Sequence, residues 1–253
     1  MKMDVILSPA ELPALASRDL RDAACVVFDV LRATSTFVTA LHHGAAAVIP
    51  VAEISEALAI RRQQPDVLLG GERDGVRIRA AQTGGLDFDL GNSPREYTPE
   101  RVRGKTIVST TTNGTRALRA CAGAQTVLAA SFLNLTATAQ FIRQLQPGQI
   151  LLVCAGTREN VATEDVLAAG ALGEMLLRDS GRHAVSDSVE IAIGARALAR
   201  SNLARAIGRS ENARRLLAIP ELREDVAFCL QPDVFNLVVS LGNQGLQVEK
   251  VRP

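Results

Sequence analysis

The chain has 253 residues, 28 Lys+Arg against 27 Asp+Glu for a formal net charge of +1, and 47% hydrophobic but only 3% aromatic residues. That length buries a real core, as one domain over 1–253 or as two intimate lobes of about 1–125 and 126–253. Near-neutral charge and scarce rings argue against nucleic-acid binding, and no apolar run approaches the roughly 20 residues of a membrane span. The N-terminal "MKMDVILSPAELPALAS" has Asp4, Pro9 and Glu11 where a signal peptide needs an unbroken apolar run, so a soluble cytoplasmic protein is expected. Cys25, Cys121, Cys154 and Cys229 are scattered without a C-x-x-C pair, which leaves no zinc or redox spacing; the first three read as small buried residues.

In chain order, strand-like runs fall at "MDVIL" (3–7), "ACVVFDV" (24–30), "AAVIPV" (46–51), "DVLLGG" (66–71), "KTIVS" (105–109), "TVLAA" (126–130) and "ILLVCA" (150–155). Helical patterns lie between most of them: "STFVTALHHG", "EISEALAIRRQQ", "GTRALRACAG" and "NLTATAQFIRQL". Gly44, Gly123 and Gly148 stand just past helical segments, where a left-handed closing residue is wanted. After Thr163 the chain turns helical, with "EDVLAAGALGEMLLRDSG", "SDSVEIAIGARALARSNLARAIG" and "SENARRLLAIP", and "VFNLVVSLGNQGLQVEKV" closes it as a β-hairpin turning at "GNQG". The expected fold is α/β: a layered α/β/α arrangement on a mostly parallel sheet, with a helix-rich second half ending in that hairpin. The long stretch 71–104 stands out as a site loop by its length. Arg196, Arg200, Arg205, Arg209, Arg214 and Arg215 recur near helical spacing and read as a solvated face.

Ligands of open α/β sheets bind outside the carboxyl ends of the strands. Here those ends are loaded: Asp29, Arg32, Thr34, Ser35 and Thr36 after "CVVF"; Glu72 and Arg73 after "VLLGG"; Ser131 and Asn134 after "TVLAA". "LLVCAG" is followed by Thr157, Arg158, Glu159, Asn160, Glu164 and Asp165. Each has a plain alternative. Asp29 fits a turn, Thr34 or Ser35 an N-cap, Glu164 and Asp165 a helix N-terminus, and Asn92-Ser93-Pro94 an ordinary turn. Recurrence at the same end of successive strands favours one rim.

The richest of these ends is "VSTTTNGTRAL" (108–118). A strand ending in hydroxyls, a glycine and a helix start makes an anion cup, with Thr110, Thr111, Thr112 and Thr115 as uncharged donors. Gly114 admits close backbone approach, and Arg116 offers a planar fork for an oxyanion. It is not a Walker A loop. Carboxylates around such a cup would repel a bound dianion unless a hard cation sat between them, so Asp29, Glu72, Glu164 and Asp165 point to magnesium-assisted phosphoryl chemistry. His42 and His43 stand at a helix end and His183 is isolated. R-H-G and C-x5-R are absent, and Leu31 stands where a D-x-D nucleophile beginning at Asp29 would need its second aspartate, which argues against three other phosphatase chemistries.

The blocks "VVFDVLRATSTFVTAL" (26–41), "GGER" (70–73), "FDLGNSPREY" (88–97), "TIVSTTTNGTRAL" (106–118) and "CAGTRENVATEDVLAAG" (154–170) resemble the 2-phosphosulfolactate phosphatase family. The resemblance covers about residues 3–180 and, more loosely, "EDVAFCLQPD" (224–233). It implies a distinct α/β fold and Mg²⁺-dependent hydrolysis of (R)-2-phospho-3-sulfolactate to sulfolactate and phosphate, a step of coenzyme M synthesis, by a homodimer. It also implies Asp29, Glu72, Glu164 and Asp165 around the metal. Asn92, Ser93 and the loop from Thr110 through Asn113 to Arg116 fall at the anion, and Arg32, Arg73, Arg116 and Arg158 around the polyanionic substrate. Asp29, Arg32, Asn113 and Arg116 are the expected catalytic residues. The linker "DGVRIRAAQTGGLD" is longer than the family's usual link, and the tail lacks an expected Val-Pro. Another small acidic phosphoester, or a non-catalytic anion or nucleotide sensor on the same rim, are the alternatives.

Overall fold

The structure, a computed structural model, describes residues 2–178 and 184–249. Eleven strands form one sheet in the order β5-β4-β6-β3-β11-β10-β7-β2-β8-β1-β9. They are β1 Lys2–Ile6, β2 Ala23–Phe28, β3 Ala47–Pro50, β4 Leu68–Arg73, β5 Val76–Arg77, β6 Thr106–Thr110, β7 Thr126–Ala130, β8 Gln149–Cys154, β9 Ala184–Val185, β10 Val238–Gly242 and β11 Gly245–Glu249. Every strand-like run of the sequence is a strand, shifted by a few residues at most. The two-residue strands β5 and β9 carry too few side chains to show a period. Successive residues of β2 enter different apolar layers: Val26 and Phe28 pack with Leu135, Leu167 and Leu172, whereas Cys25 and Val27 pack with Phe37, Val38 and Leu118. Both faces of this strand are therefore covered, which explains its unbroken apolar run.

The expected helices are present at Ala33–His42, Ile54–Gln63, Gly114–Ala120, Leu135–Leu145 and Thr163–Leu177. "SDSVEIAIGARALARSNLARAIG" breaks into Asp187–Ala199 and Leu203–Ile207, because the Asn202 side chain accepts the Arg205 N–H and starts a new helix. Gly44 closes its helix in the left-handed region at φ 91°, but Gly123 and Gly148 do not adopt it. Gln146 does so at φ 48°, ending the helix two residues earlier than the glycine suggested. All four cysteines are buried and free. His183 and the end of "EMLLRDSG" lie outside the described residues.

The hairpin β10–β11 does not lie at an edge. It is inserted between β3 and β7, antiparallel to both. Three successive antiparallel pairings (β7/β10, β10/β11, β11/β3) make the parallel block β3-β6-β4 run opposite to the parallel block β7-β2-β8-β1. The loaded strand ends therefore do not share the rim of one parallel sheet. Residues from the carboxyl ends of both blocks nevertheless meet: Asp29, after β2, lines one cleft with Glu72 of β4 and Thr112, after β6. Among the described residues, no helix is long and apolar enough to cross a membrane.

Leu246 of β11 is fully buried and pairs with Val48 across the seam. Leu246→Ala should cost about 2–5 kcal/mol in urea unfolding, as a core truncation does. A loss below about 0.5 kcal/mol, the scale of a surface change, would contradict a central hairpin.

Candidate active site

Asp29 follows directly on β2, and its carboxylate is buried, with 9% of the residue exposed. Its Oδ1 accepts the Ala33 N–H at 3.1 Å, at the start of the helix Ala33–His42. The backbone amide of Gly114, at the start of the helix Gly114–Ala120, also faces it. A Cβ at 114 would stand 2.7 Å from Asp29 Oδ2, so glycine is what lets that helix come so close. Two helix N-termini thus meet on one carboxylate, and both favour negative charge there. Burial outweighs them. It pushes the Asp29 carboxyl up to about 7, the Ala33 amide opposing and the charges of Glu72 and Glu164 adding to the rise.

Glu72 comes from the end of β4. Its Oε1 accepts the Thr112 N–H and hydroxyl at 2.8 and 2.9 Å, and its Oε2 accepts the Gly75 N–H at 2.6 Å. Gly75 belongs to the two-residue turn Asp74-Gly75 joining β4 to β5, with both residues at positive φ, 53° and 82°. Asp-Gly is a residue pair made for that turn. The glutamate is therefore fixed by its own hairpin on one side and by the threonine loop on the other.

Asn92 stands on the same cleft as Asp29, Glu72 and Thr112. Its Oδ1 is buried and has no hydrogen-bond partner. Its loop is anchored twice: Thr36 Oγ1 donates to the Asn92 carbonyl at 2.9 Å, and Ser93 Oγ donates to Asp225 Oδ1 at 2.7 Å. Asp225 Oδ2 also holds Arg32 Nη1 at 2.7 Å, both side chains being out of solvent. Arg32 Nη2 donates to the Gly75 carbonyl at 2.5 Å.

Behind the cleft, Asp165 takes the Val30 N–H on Oδ1 at 2.8 Å and the Gly156 N–H on Oδ2 at 3.0 Å. It braces the chain after β2 against the chain after β8. Burial, then the charges of Glu164 and Asp29, hold its carboxyl well above the usual range. Glu164 is fully buried; Oε1 accepts Asn212 Nδ2 at 2.7 Å and Oε2 has no partner.

Residues 9–244 match the family described as 2-phosphosulpholactate phosphatase. The chain belongs to that family. A Thermotoga petrophila protein named probable 2-phosphosulfolactate phosphatase is 40% identical over 247 residues, 95% of this chain and 96% of its own. Proteins of the same name from Caldanaerobacter subterraneus subsp. tengcongensis and Synechococcus sp. (strain RCC307) are 39% and 42% identical, over 91% and 72% of this chain and 92% and 70% of theirs.

In this 2-phosphosulfolactate phosphatase family member, Asp29, Arg32, Glu72, Asn92, Thr112, Asn113 and Arg158 line one cleft. The remaining site residues expected from the sequence are placed elsewhere. The hydroxyls of Thr111 and Thr115 close on each other's backbone, and Thr110 Oγ1 donates to the Ala52 carbonyl. Arg73 is drawn to Thr110 Oγ1 at 3.0 Å and to the Glu72 carbonyl at 2.8 Å. Arg116 lies at the surface, paired with Glu159 at 2.6 Å. Ser93 is bonded to Asp225, and Gly114 approaches Asp29 rather than open space. Glu164 and Asp165 are not among the cleft-lining residues. The threonine cup is thus largely spent on its own loop and on Glu72. The cleft also takes in Thr157, one of the loaded strand ends, and gains Asp74, Asn212 and Arg215, none of which the sequence singles out for a site. The spacing of Arg215 puts it on a solvated face, but it is half-buried with its Nε out of solvent. The length of the 71–104 stretch and the Asp-Gly turn signal at 74–75 within it point to the Asp74 side of that wall.

Two outcomes are expected from this geometry. Asp225→Ala leaves Arg32 as a buried, unpaired charge and should destabilise by about 3–5 kcal/mol in denaturant unfolding; a loss under about 1 kcal/mol, the scale of an exposed pair, would contradict the burial. In EDTA, Asp29 has a folded pKa of about 7 above its ordinary 3.8, so its contribution is full below 3.8 and is lost as pH rises through about 7. The melting temperature should therefore fall from pH 5 to pH 8, and less steeply in Asp29→Asn; equal slopes in both proteins would contradict this.

Proposed function

We propose that this chain is a phosphoric monoester hydrolase that converts (R)-2-phospho-3-sulfolactate to (R)-3-sulfolactate and phosphate, with Mg²⁺ as cofactor, as in coenzyme M synthesis. The names of its relatives support the substrate. The observation that carries the chemistry is the unpaired, buried Oδ1 of Asn92 on the same cleft as the Asp29 and Glu72 carboxylates. Among the described residues, no three His, Cys, Asp or Glu side chains form a group able to hold a metal alone. Magnesium asks for less: one or two carboxylates, with phosphate oxygens and waters completing its shell. Asp29, Glu72 and the Asn92 amide oxygen fit that demand and would hold it. There it would polarise a phosphoryl oxygen and offset the negative charge that the two carboxylates bring to a phosphate dianion.

The chain's own groups do the rest. Thr112 and the Asp74-Gly75 turn fix Glu72, and the Ala33 and Gly114 amides fix Asp29, so little reorganisation accompanies substrate arrival. Asn113 is tied to the Gly156 carbonyl by its Nδ2 at 2.7 Å, which holds the threonine loop against the loop after β8. Arg158 stands exposed at the cleft with a left-handed backbone, φ 55°, set by the tight turn between Thr157 and Asn160. It offers charge where a polyanion enters. Hydrolysis breaks the phosphoester P–O bond and forms one to the oxygen of water, whose protons end on phosphate and on the departing hydroxyl of sulfolactate.

Phosphate release from 2-phosphosulfolactate should be lost in EDTA and restored by Mg²⁺. Asp29→Asn should abolish it while circular dichroism remains that of the parent. Asn92→Ala should raise the Mg²⁺ concentration giving half-maximal rate. Near-normal turnover by Asp29→Asn, or full activity in EDTA, would overturn the proposal.

A further inference from the structure

We propose that Arg215 binds the acidic group that the substrate carries beside its phosphoester, a carboxylate or sulfonate, and so selects phosphoesters of acids. This rests on the phosphatase reading above. Three arginines line the cleft: Arg32, Arg158 and Arg215. Arg32 is already committed, its charge met by Asp225 and its other nitrogen by the Gly75 carbonyl. Arg158 is exposed at the mouth. Arg215 differs from both. It is half-buried, no carboxylate among the described residues pairs with it, and its Nε is out of solvent with no acceptor. A buried N–H without an acceptor is unfavourable, and an acid oxygen entering the cleft would supply one.

Its orientation is built in. Arg215 Nη2 donates to Asn212 Oδ1 at 3.0 Å, while Asn212 Nδ2 donates to Glu164 Oε1 at 2.7 Å and to Thr157 Oγ1 at 2.6 Å. The arginine is thus held through one amide by two buried groups at the back of the cleft. The Asp74-Gly75 turn passes beside it: a Cβ at Gly75 would stand 3.5 Å from Arg215 Nε. The same turn fixes Glu72, so the wall that shapes the acid subsite also shapes the phosphoryl end. A guanidinium fork suits the paired oxygens of carboxylate or sulfonate, and an ammonium does not reproduce it.

The test compares wild type, Arg215→Ala and Arg215→Lys on 2-phosphosulfolactate, phospholactate (carboxylate alone), the phosphate ester of 2-hydroxyethanesulfonate (sulfonate alone) and ethyl phosphate (neither). Arg215→Ala should lower kcat/KM for 2-phosphosulfolactate by about 10- to 100-fold, the worth of one charged hydrogen bond, and for ethyl phosphate by less than about 3-fold. Arg215→Lys should recover part of the loss. The single-acid ester with the larger loss identifies the group bound. Equal losses on all four esters, or none, would overturn the proposal. Calorimetric binding of sulfolactate is the independent arm, weakened in Arg215→Ala at unchanged melting temperature. If wild type hydrolyses no ester but binds sulfolactate in an Arg215-dependent way, the acid subsite stands and the phosphatase reading falls. Equal sulfolactate affinity in both proteins removes the subsite whatever the turnover.

Discussion

A carboxylate taken out of water must be met by donors or by a cation, and Asp29 organises this fold around that requirement. Two helices begin at it, with the Ala33 and Gly114 amides turned to its oxygens. Those donors do not suffice: burial and the neighbouring Glu72 and Glu164 still raise its pKa to about 7. Glu72 is satisfied by Thr112 and the Asp74-Gly75 turn, and Asp165 by the amides of Val30 and Gly156. The loops after β2, β4, β6 and β8 are therefore held in place by acids bonded to one another's backbones. The strain of gathering these charges is what a divalent cation would relieve.

The last third of the chain closes the arrangement from outside the parallel blocks. Asp225 ties Arg32 and Ser93 together, Asn212 reaches Glu164, and the hairpin β10–β11 fills the seam of the sheet. Because that hairpin reverses the direction of one block, the strand ends from both halves meet at the cleft without sharing a common parallel rim. A central hairpin at 238–249 also means that the sheet cannot close before those residues have been made.

Much of this is legible in the sequence, for a physical reason. Strands buried on both faces read as apolar runs, and the polar residues just past each run are fixed in place by the chain itself. Asp29, Glu72 and the threonine loop stand out in that way, whereas Asn92 is picked out only by the family resemblance of its block. Partner choice is not legible. Nothing in "STTTNGT" says that Thr111 and Thr115 bond to each other's backbone, or that Arg116 turns out to Glu159. Arg215 shares its helical spacing with exposed arginines, and only the packing of its helix against the Asp74-Gly75 turn distinguishes it. The final hairpin is evident as a hairpin, but its place in the sheet depends on pairings between residues about 200 apart in sequence, such as Leu246 with Val48.

The most direct measurement is anomalous diffraction from crystals soaked with Mn²⁺ and inorganic phosphate. One metal peak is expected at coordinating distance from the Asp29 and Glu72 carboxylates and the Asn92 amide oxygen, with phosphate on its open side. A metal held by Glu164 and Asp165 away from Asp29, or phosphate seated against Arg116 with no metal beside it, would contradict the account.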